Sequence, residues 1–172
     1  MDEDKKVISS ITSETYDASE QPFDFVSEGQ ETALVCESDK SLQLRTADLL
    51  KEAGYLVSPA DTGQEALRKM RYHDYDLVVV NELFDCLDSS SNLVLAYLEG
   101  LNMKMRRWIY VVLVGSGFRT MDRMTAFNRS VNLTVNIDNI DEIGAILNRG
   151  IAEYRSFYSL FEEILAGVEG RR

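Results

Sequence analysis

The chain has 172 residues, of which 45% are hydrophobic and 27% are charged, and its formal net charge is -11. One domain of about this length buries ~68–70% of the surface that its unfolded chain exposes, so it needs neither a metal nor a disulfide to fold. The 29 acidic residues against 18 basic ones argue against binding to nucleic acid or to anionic membranes, because both interactions rely on Lys and Arg.

Cysteine and histidine are too sparse for a metal site or a catalytic triad. Cys36 and Cys86 lie far apart in the sequence, which is typical of two buried thiols in a reducing compartment rather than of a disulfide or a zinc site. The single histidine, His73, stands next to Asp74 and is expected to cap a helix or lie at the surface. We therefore predict no enzymatic activity, no metal and no cofactor.

Targeting signals are also missing from the sequence. No run reaches the roughly 18 apolar residues of a membrane-spanning helix. The first residues, Met1-Asp2-Glu3-Asp4, have the wrong charge for a signal peptide. We therefore expect a cytoplasmic protein.

The acidity is concentrated in the first part of the chain. Residues 1–31 hold nine acidic residues and two lysines, a net charge of −7, whereas residues 32–172 carry a net charge of −4. The acidic segment is rich in Ser and Thr and is predicted to be largely disordered. An apolar island at residues 22–26 interrupts it, and its alternating pattern is typical of an extended segment that docks on a surface.

From residue 32 onward, short apolar runs alternate with helical patterns. Residues 33–36 predict a buried strand. Ser38 or Asp39 can cap a helix that runs to about Ala53, and Gly54 is a typical helix stop.

The middle of the chain repeats this alternation twice. Residues 55–57 predict a second strand, and residues 62–65, Thr-Gly-Gln-Glu, have the pattern of a capping box that starts the next helix. Residues 76–81 predict the third strand, with four consecutive apolar residues of which three are β-branched. A looser helix is predicted over residues 92–103.

Two further strand–helix units complete the pattern. Residues 108–114 predict a continuous apolar strand, followed by a helix near residues 119–127. Residues 131–135 predict the fifth strand, and a final helix starts near residue 139 and extends to about residue 165.

Five strands that alternate with five helices predict an α/β domain. Continuous apolar strands indicate a sheet covered on both faces, and the alternation indicates parallel strands. The expected fold is a doubly wound, flavodoxin-like, five-stranded parallel sheet, (βα)5, over residues 32–152. Residues 153–172 form an extension of the C-terminal helix. Ligands of such folds bind at the carboxyl ends of the strands.

The strand ends resemble the receiver domain of bacterial response regulators. The matching stretches are residues 33–39, 53–55, 63–67 and 75–81, in the same order as in that family. A receiver holds Mg²⁺ on an acidic pair after the first strand and is phosphorylated on an Asp that ends the third. It also carries a Thr or Ser after the fourth strand and a Lys after the fifth. The corresponding positions of this chain hold, in order, Glu37, Ser38 and Asp39, then Asn81, then Gly115 and Ser116, then Asn136.

The resemblance implies a receiver fold without phosphorylation chemistry. Asn81 stands in place of the acceptor Asp, and an amide oxygen is a poor nucleophile. Asn136 stands in place of the Lys, so a phosphoryl group would lack that cation. Glu37 with Asp39 makes a weak site for Mg²⁺, which prefers several anionic oxygens.

Other acidic residues nearby are not expected to replace the acceptor. Strand alternation would turn Glu82 to the opposite face from Asn81. Asp85 and Asp88 lie in the loop that follows. The remaining polar residues at the strand ends are either loop starts and helix caps, or a residual pocket that binds an ion or a small ligand.

The segment that follows the fourth strand is the first candidate for protein binding. In receivers this region contacts partners, and it matches residues 118–129 here. By their spacing, Arg119 and Arg123 would share one helix face. The alternative is a solvated helix with Met121, Met124 and Phe127 in the core. The candidate contact residues are Phe118, Arg119, Arg123 and Phe127.

The C-terminal helix is the second candidate. Apolar residues from position 147 to position 168 alternate spacings of four and three, which is typical of a heptad seam. The helix either folds back on its own domain or mediates dimerisation or partner binding. The candidate contact residues are Tyr154, Tyr158 and Phe161.

The predicted function is a phosphorylation-independent pseudo-receiver, a protein interaction module in a bacterial regulatory system. Its partners would be proteins, including a second copy bound through the C-terminal helix. The alternative is a small-molecule or nucleotide-binding module, or an enzyme, in which residues 115–117 (Gly-Ser-Gly) cradle a phosphate at a strand–helix junction. A further hypothesis is that the acidic N-terminal segment contacts the basic stretch at residues 104–129.

Overall fold

The computed structural model describes residues 8–10, 22–23, 26–27, 29–88 and 91–169, with the backbone alone for residues 160–163 and 165–169. Within these residues, five strands alternate with five α-helices longer than one turn. They are β1 (Thr32–Cys36), α1 (Lys40–Glu52), β2 (Leu56–Ala60), α2 (Gly63–Tyr72), β3 (Leu77–Asn81), α3 (Leu93–Gly100), β4 (Tyr110–Gly115), α4 (Arg123–Asn128), β5 (Leu133–Asn136) and α5 (Ile143–Glu169). A helical turn, Met103–Arg106, precedes β4, and a 3₁₀ helix, Ile137–Glu142, leads into α5.

The strands form one parallel sheet in the order β2-β1-β3-β4-β5, which confirms the predicted doubly wound fold. In the central pair, Cys36 of β1 lies opposite Val80 of β3. The next residues of the two strands, Glu37 and Asn81, therefore leave the sheet side by side. This register creates the candidate site.

Successive strand residues point to opposite faces, and each face is covered by helices. One core cluster joins strand residues such as Leu34 and Val78 to α2 and α3, and the other joins Val35 and Val79 to α1 and α5. Burial on both faces explains why the strands read as unbroken apolar runs.

Side-chain caps begin the helices largely where the sequence predicts them. The Asp39 carboxylate accepts a hydrogen bond from the Leu42 N–H at the start of α1. At α2, the Thr62 hydroxyl accepts from the Glu65 N–H, but the Glu65 carboxylate accepts from the Asp61 N–H rather than from Thr62. The predicted capping box is therefore present, except that the Glu65 carboxylate bonds to the residue before the cap, Asp61.

The helix after β4 differs from the prediction, because α4 begins at Arg123 and not near Arg119. The Met121 N–H donates to the Thr134 carbonyl, and the Asp122 N–H donates to the Thr134 hydroxyl. This segment therefore pairs with β5 instead of forming a helical turn. Met121 has a φ of 61°, outside the helical region. Arg119 therefore lies outside the helix, and the predicted shared face of Arg119 and Arg123 is wrong.

The start of β4 also lies later than predicted. The strand begins at Tyr110, whereas Trp108 precedes it and is exposed. Trp108 follows the helical turn Met103–Arg106, and its N–H donates to the Met105 carbonyl. Trp108 is therefore hydrogen-bonded to that turn and lies outside the sheet.

The described part of the N-terminal segment contacts the domain. Phe23 is half-buried, and its ring packs edge-to-face on His73 and Tyr75, with centroids 5.0 and 6.0 Å away. Glu31 forms an ion pair with Arg155 of α5. The predicted disorder of the acidic segment falls mainly on residues outside the described ones. Among the described residues, no helix is long and apolar enough to cross a membrane.

Helix α5 is held against the sheet through a glycine. Ile143 and Leu147 are buried in the core, as the sequence predicts. One turn later, the hydroxyl of Tyr110 occupies the place where a Cβ on Gly150 would stand. Because the phenol ring is rigid, only glycine allows the helix and strand to approach this closely.

We expect Gly150→Ala to destabilise the fold by about 1–3 kcal/mol, because the added methyl group overlaps the Tyr110 hydroxyl. Gly144→Ala in the same helix is the matched control. Its Cβ would meet Ala53 at an ordinary 3.9 Å, so the helix propensity of Ala should stabilise by roughly 0.5–1 kcal/mol. Urea unfolding measures both free energies, and equal stabilities for the two variants would contradict this packing.

Candidate functional site

The centre of the candidate site is a hydrogen bond between the ends of β1 and β3. The Asn81 amide Nδ2 donates to Glu37 Oε2 at 2.6 Å, and the Asp39 N–H donates to Glu37 Oε1 at 2.9 Å. Glu37 is buried, so these donors compensate for the lost hydration of its carboxylate. Asn81, which matches the phosphorylated Asp of receivers, is thus a hydrogen-bond donor to Glu37.

The loops after β1, β2 and β3 are tied together at this edge. The Ser38 hydroxyl accepts from the Asp85 N–H at 3.1 Å, and Asp85 Oδ2 accepts from the Gly63 N–H at 2.8 Å. Asp85 has a φ of 54°, a conformation that Asp tolerates better than most residues. Ser38 and Asp39 therefore act as loop and helix anchors.

Two buried amides complete the network and were missed by the sequence reasoning. Gln43 Nε2 donates to the Glu37 carbonyl at 2.9 Å and to the Ala60 carbonyl at 3.0 Å. Asn92 Nδ2 donates to the Asn81 carbonyl at 3.0 Å. Gln43 lies seven residues before Leu50, a spacing that places both on the buried face of α1 and could have revealed its role.

The polar residue that ends β5 belongs to a different group. Asn136 Nδ2 donates to the Phe118 carbonyl at 2.7 Å, and to the Ser116 carbonyl at 3.4 Å. The Asn136 N–H donates to the Thr120 hydroxyl at 2.9 Å. Asn136 thus fixes the loop after β4 and makes no hydrogen bond to Glu37 or Asn81 among the described contacts. In the part of the chain that the structure describes, no three His, Cys, Asp or Glu side chains could hold a metal ion.

Glu82 covers the end of β4. The Glu82 N–H donates to the Val114 carbonyl at 2.8 Å and continues the pairing of β3 with β4. The Glu82 side chain therefore turns to the opposite face from Asn81, as the sequence predicts. A Cβ on Gly115 would lie 2.6 Å from Glu82 Cδ, and one on Gly117 would lie 3.7 Å from Glu82 Oε1. The glycine at position 115 therefore provides the space that the Glu82 carboxylate fills.

This arrangement does not favour a phosphate at residues 115–117. A phosphate there would meet the negative charge of Glu82. The first turn of α4 begins at Arg123, so no helix N-terminus adjoins the glycines.

Comparisons with known proteins agree with this architecture. No family model matches the chain, and neither does any curated protein. Solved structures do match. The chemotaxis response regulator CheY4 of Vibrio cholerae is 15% identical over 70% of this chain and 98% of that chain, with a TM-score of 0.54. A response regulator receiver domain protein from Clostridium thermocellum is 16% identical over 74% and 98%, with a TM-score of 0.56.

A third match is the receiver domain of the Francisella response regulator 1452, which is 21% identical over 70% of this chain and 98% of that chain, with a TM-score of 0.53. The chain has the fold of a receiver domain. Identities this low establish the fold alone, so the chemistry of the strand ends must be argued from the residues present.

On the receiver fold, the segment after β4 exposes only part of the predicted contact surface. Phe118 packs against the core, and its carbonyl accepts from Asn136. Met121 also packs against the core, whereas Met124 is 68% exposed and Phe127 is 79% exposed. The alternative that buries all three apolar residues of this segment is therefore wrong.

The two arginines of this surface are both exposed. Arg119 lies in the loop before α4, and Arg123 lies in its first turn, where it pairs with Glu153 at 3.2 Å. The large exposed apolar residues of this segment are Met124 and Phe127.

The predicted contact residues of α5 pack on their own domain. The Tyr154 hydroxyl donates to the Arg107 carbonyl at 2.6 Å, and the Tyr154 ring lies 5.3 Å from that of Tyr110. Tyr158 is half-buried, with its ring 4.7 Å from Tyr154. Tyr154 therefore packs on the domain, and the packing of α5 continues past the expected boundary at residue 152. The side chain of Phe161 lies outside the described residues.

The exposed apolar residues of α5 lie on another face. Phe157 is 78% exposed, and Ile164 is exposed as well. They are seven residues apart, so they share one side of the helix.

The histidine and the cysteines occupy structural positions. His73 ends α2, and its N–H donates to the Lys69 carbonyl. Burial lowers the pKa of His73, which favours its neutral form. Burial also raises the pKa of the Cys36 thiol and, to a smaller extent, that of Cys86, which is half-buried. Neither thiol has the low pKa of a nucleophile.

We expect Asn81→Asp to destabilise the protein by roughly 1–3 kcal/mol at pH 7, because it removes a donor and places two carboxylates in contact. Urea unfolding at pH 7 measures the difference in stability. The control is Asn148→Asp on the exposed side of α5, which should change stability by less than about 0.5 kcal/mol. Equal stability of Asn81→Asp and the original protein at pH 7 would contradict the account.

Proposed function

We propose that this chain is a pseudo-receiver, a cytoplasmic signalling module of a bacterial regulatory system that acts through protein contacts without phosphorylation. The observation that carries the proposal is the 2.6 Å hydrogen bond from the Asn81 amide to the Glu37 carboxylate. It supports the proposal because the position that would accept a phosphoryl group holds a neutral amide engaged with its neighbour.

Three requirements of phosphoryl transfer are weakened together. The nucleophilic carboxylate is replaced by Asn81. Both oxygens of Glu37, the residue that resembles part of the Mg²⁺ site, accept hydrogen bonds from the protein. Asn136 carries no positive charge and donates a hydrogen bond to the Phe118 carbonyl. It therefore cannot neutralise the negative charge of a phosphoryl group. Losses at all three strand ends favour a role that does not need the reaction.

Protein contacts are the function that the surface of α4 favours. Met124 and Phe127 are large apolar side chains that the fold leaves in water, and exposed apolar patches rimmed by polar residues are typical of protein-binding sites. Arg119 and Arg123 add positive charge at the rim. The partner should therefore present an apolar surface with acidic residues around it.

Self-association through α5 is a second mode of protein contact. Phe157 and Ile164 form an exposed apolar stripe on one side of the helix. A second copy of the helix would cover this stripe in a symmetric dimer. The surface differs from the predicted seam of Tyr154 and Tyr158, which packs inwards.

Phosphorylation is tested by incubating the protein with acetyl phosphate and Mg²⁺ and measuring the intact mass. We expect no phosphoryl adduct, because the amide at position 81 cannot attack phosphorus. A receiver that retains its acceptor Asp serves as the positive control. A stoichiometric adduct would overturn the proposal, and peptide mapping would then show whether Glu82, Asp85 or Asp88 accepts the group.

Sedimentation and crosslinking of two double variants distinguish the role of the α4 surface from that of the α5 surface. We expect the intact chain to dimerise and the variant Phe157→Glu, Ile164→Glu to be a monomer, because charges would replace the apolar stripe. The variant Met124→Ser, Phe127→Ser should still dimerise but should lose crosslinks to other proteins.

Leu44→Ser, at another exposed leucine, is the control and should change neither property. If the intact chain is already a monomer, dimerisation through α5 is excluded. If Met124→Ser, Phe127→Ser keeps all crosslinks to other proteins, α4 is not the docking surface.

A further inference from the structure

Two leucines of the loop between β3 and α3 project into solvent at the candidate-site edge of the sheet. Leu83 is 52% exposed, and Leu87 is fully exposed at 103%. A single exposed leucine is common in proteins. Two of them within five residues of one loop form a small apolar surface that the fold itself does not use.

The loop is held in place between these leucines. Phe84 is almost completely buried, so it anchors the loop in the core. The Phe84 N–H donates to the Asn81 carbonyl at 3.0 Å, and the Leu83 N–H donates to the Asn81 side-chain oxygen at 2.9 Å. Asp85 is tied to Ser38, as described above. A loop fixed in this way loses little conformational entropy when something binds to it.

The charge around the leucines has one sign. Residues 82–88 contain Glu82, Asp85 and Asp88 and no basic residue. The three acidic residues therefore lie next to the two exposed leucines in the sequence of one short segment. A binding partner must offer apolar groups to cover the leucines and positive charge to match the acids.

We propose that residues 82–88, the acidic leucine loop, bind a basic amphipathic helix of a partner protein. A helix of this kind presents apolar side chains on one face with Lys or Arg along its borders, which matches both properties of the loop. The overall net charge of -11 would also attract such a segment from a distance. The loop shares no residue with the α4 and α5 surfaces, so this inference does not rest on the function proposed for them.

The probe is a synthetic peptide of about 18 residues, built from Leu and Lys in an amphipathic helical pattern. Titration followed by NMR should show saturable shifts at the amides of residues 83–85. The variant Leu83→Ser, Leu87→Ser should bind the peptide at least about tenfold more weakly. Leu44→Ser, which removes an exposed leucine of α1, should bind as the original protein does. Because Leu83 and Leu87 are exposed, the double variant should unfold at the same urea concentration as the original protein.

A peptide of the same composition in shuffled order, with no apolar face, separates this recognition from attraction by charge alone. Equal binding of the two peptides would overturn the proposal, and so would undiminished binding to Leu83→Ser, Leu87→Ser or no binding at all. If the intact chain self-associates and this double variant abolishes the association, the occupant is a second copy of the chain. The basic partner would then be excluded.

Discussion

The hydrogen bond between Glu37 and Asn81 is the interaction on which the rest of the site depends. A buried carboxylate is costly unless donors surround it, and here Asn81 Nδ2 and the Asp39 N–H supply them. The bond joins the ends of β1 and β3, the two central strands whose register brings the residues together. A neutral amide satisfies the carboxylate where a second carboxylate would repel it. The amide at position 81 is a poor nucleophile, and its hydrogen bond to Glu37 stabilises the fold.

The other strand ends are consistent with this closed arrangement. Glu82 fills the space above Gly115, while Asn136 bonds to the loop after β4. Glu37, Asn81 and Asn136 therefore all form hydrogen bonds within the protein. Large apolar side chains are exposed on α4, on α5 and in the acidic leucine loop.

The fold could be predicted because its main signal is burial. Unbroken apolar runs such as residues 77–80 are typical of strands covered on both faces, so the parallel sheet followed from the pattern. Helix caps such as Asp39 were equally predictable, because they depend on neighbours in the sequence. The start of α4 was not predictable, since Met121 and Asp122 form hydrogen bonds to Thr134 of β5, which is distant from them in the sequence.

The residues of the candidate site could be predicted, but the hydrogen bonds between them could not. The resemblance to receivers identified Glu37 and Asn81, yet the bond between them depends on strand register. Glu82 turns away from Asn81 as the alternation predicts, but its packing on Gly115 depends on the pairing of β3 with β4. The heptad spacing of α5 could not show that Tyr154 faces its own domain.

A titration of the intact chain with Mg²⁺, followed by NMR, tests the central claim most directly. If the Glu37 carboxylate is satisfied by Asn81 and Asp39, the amides of Glu37, Asn81 and Glu82 should show no saturable shifts at millimolar Mg²⁺. Saturable shifts centred on those three residues would mean that the cation displaces the hydrogen bonds. That result would contradict the account of a closed site.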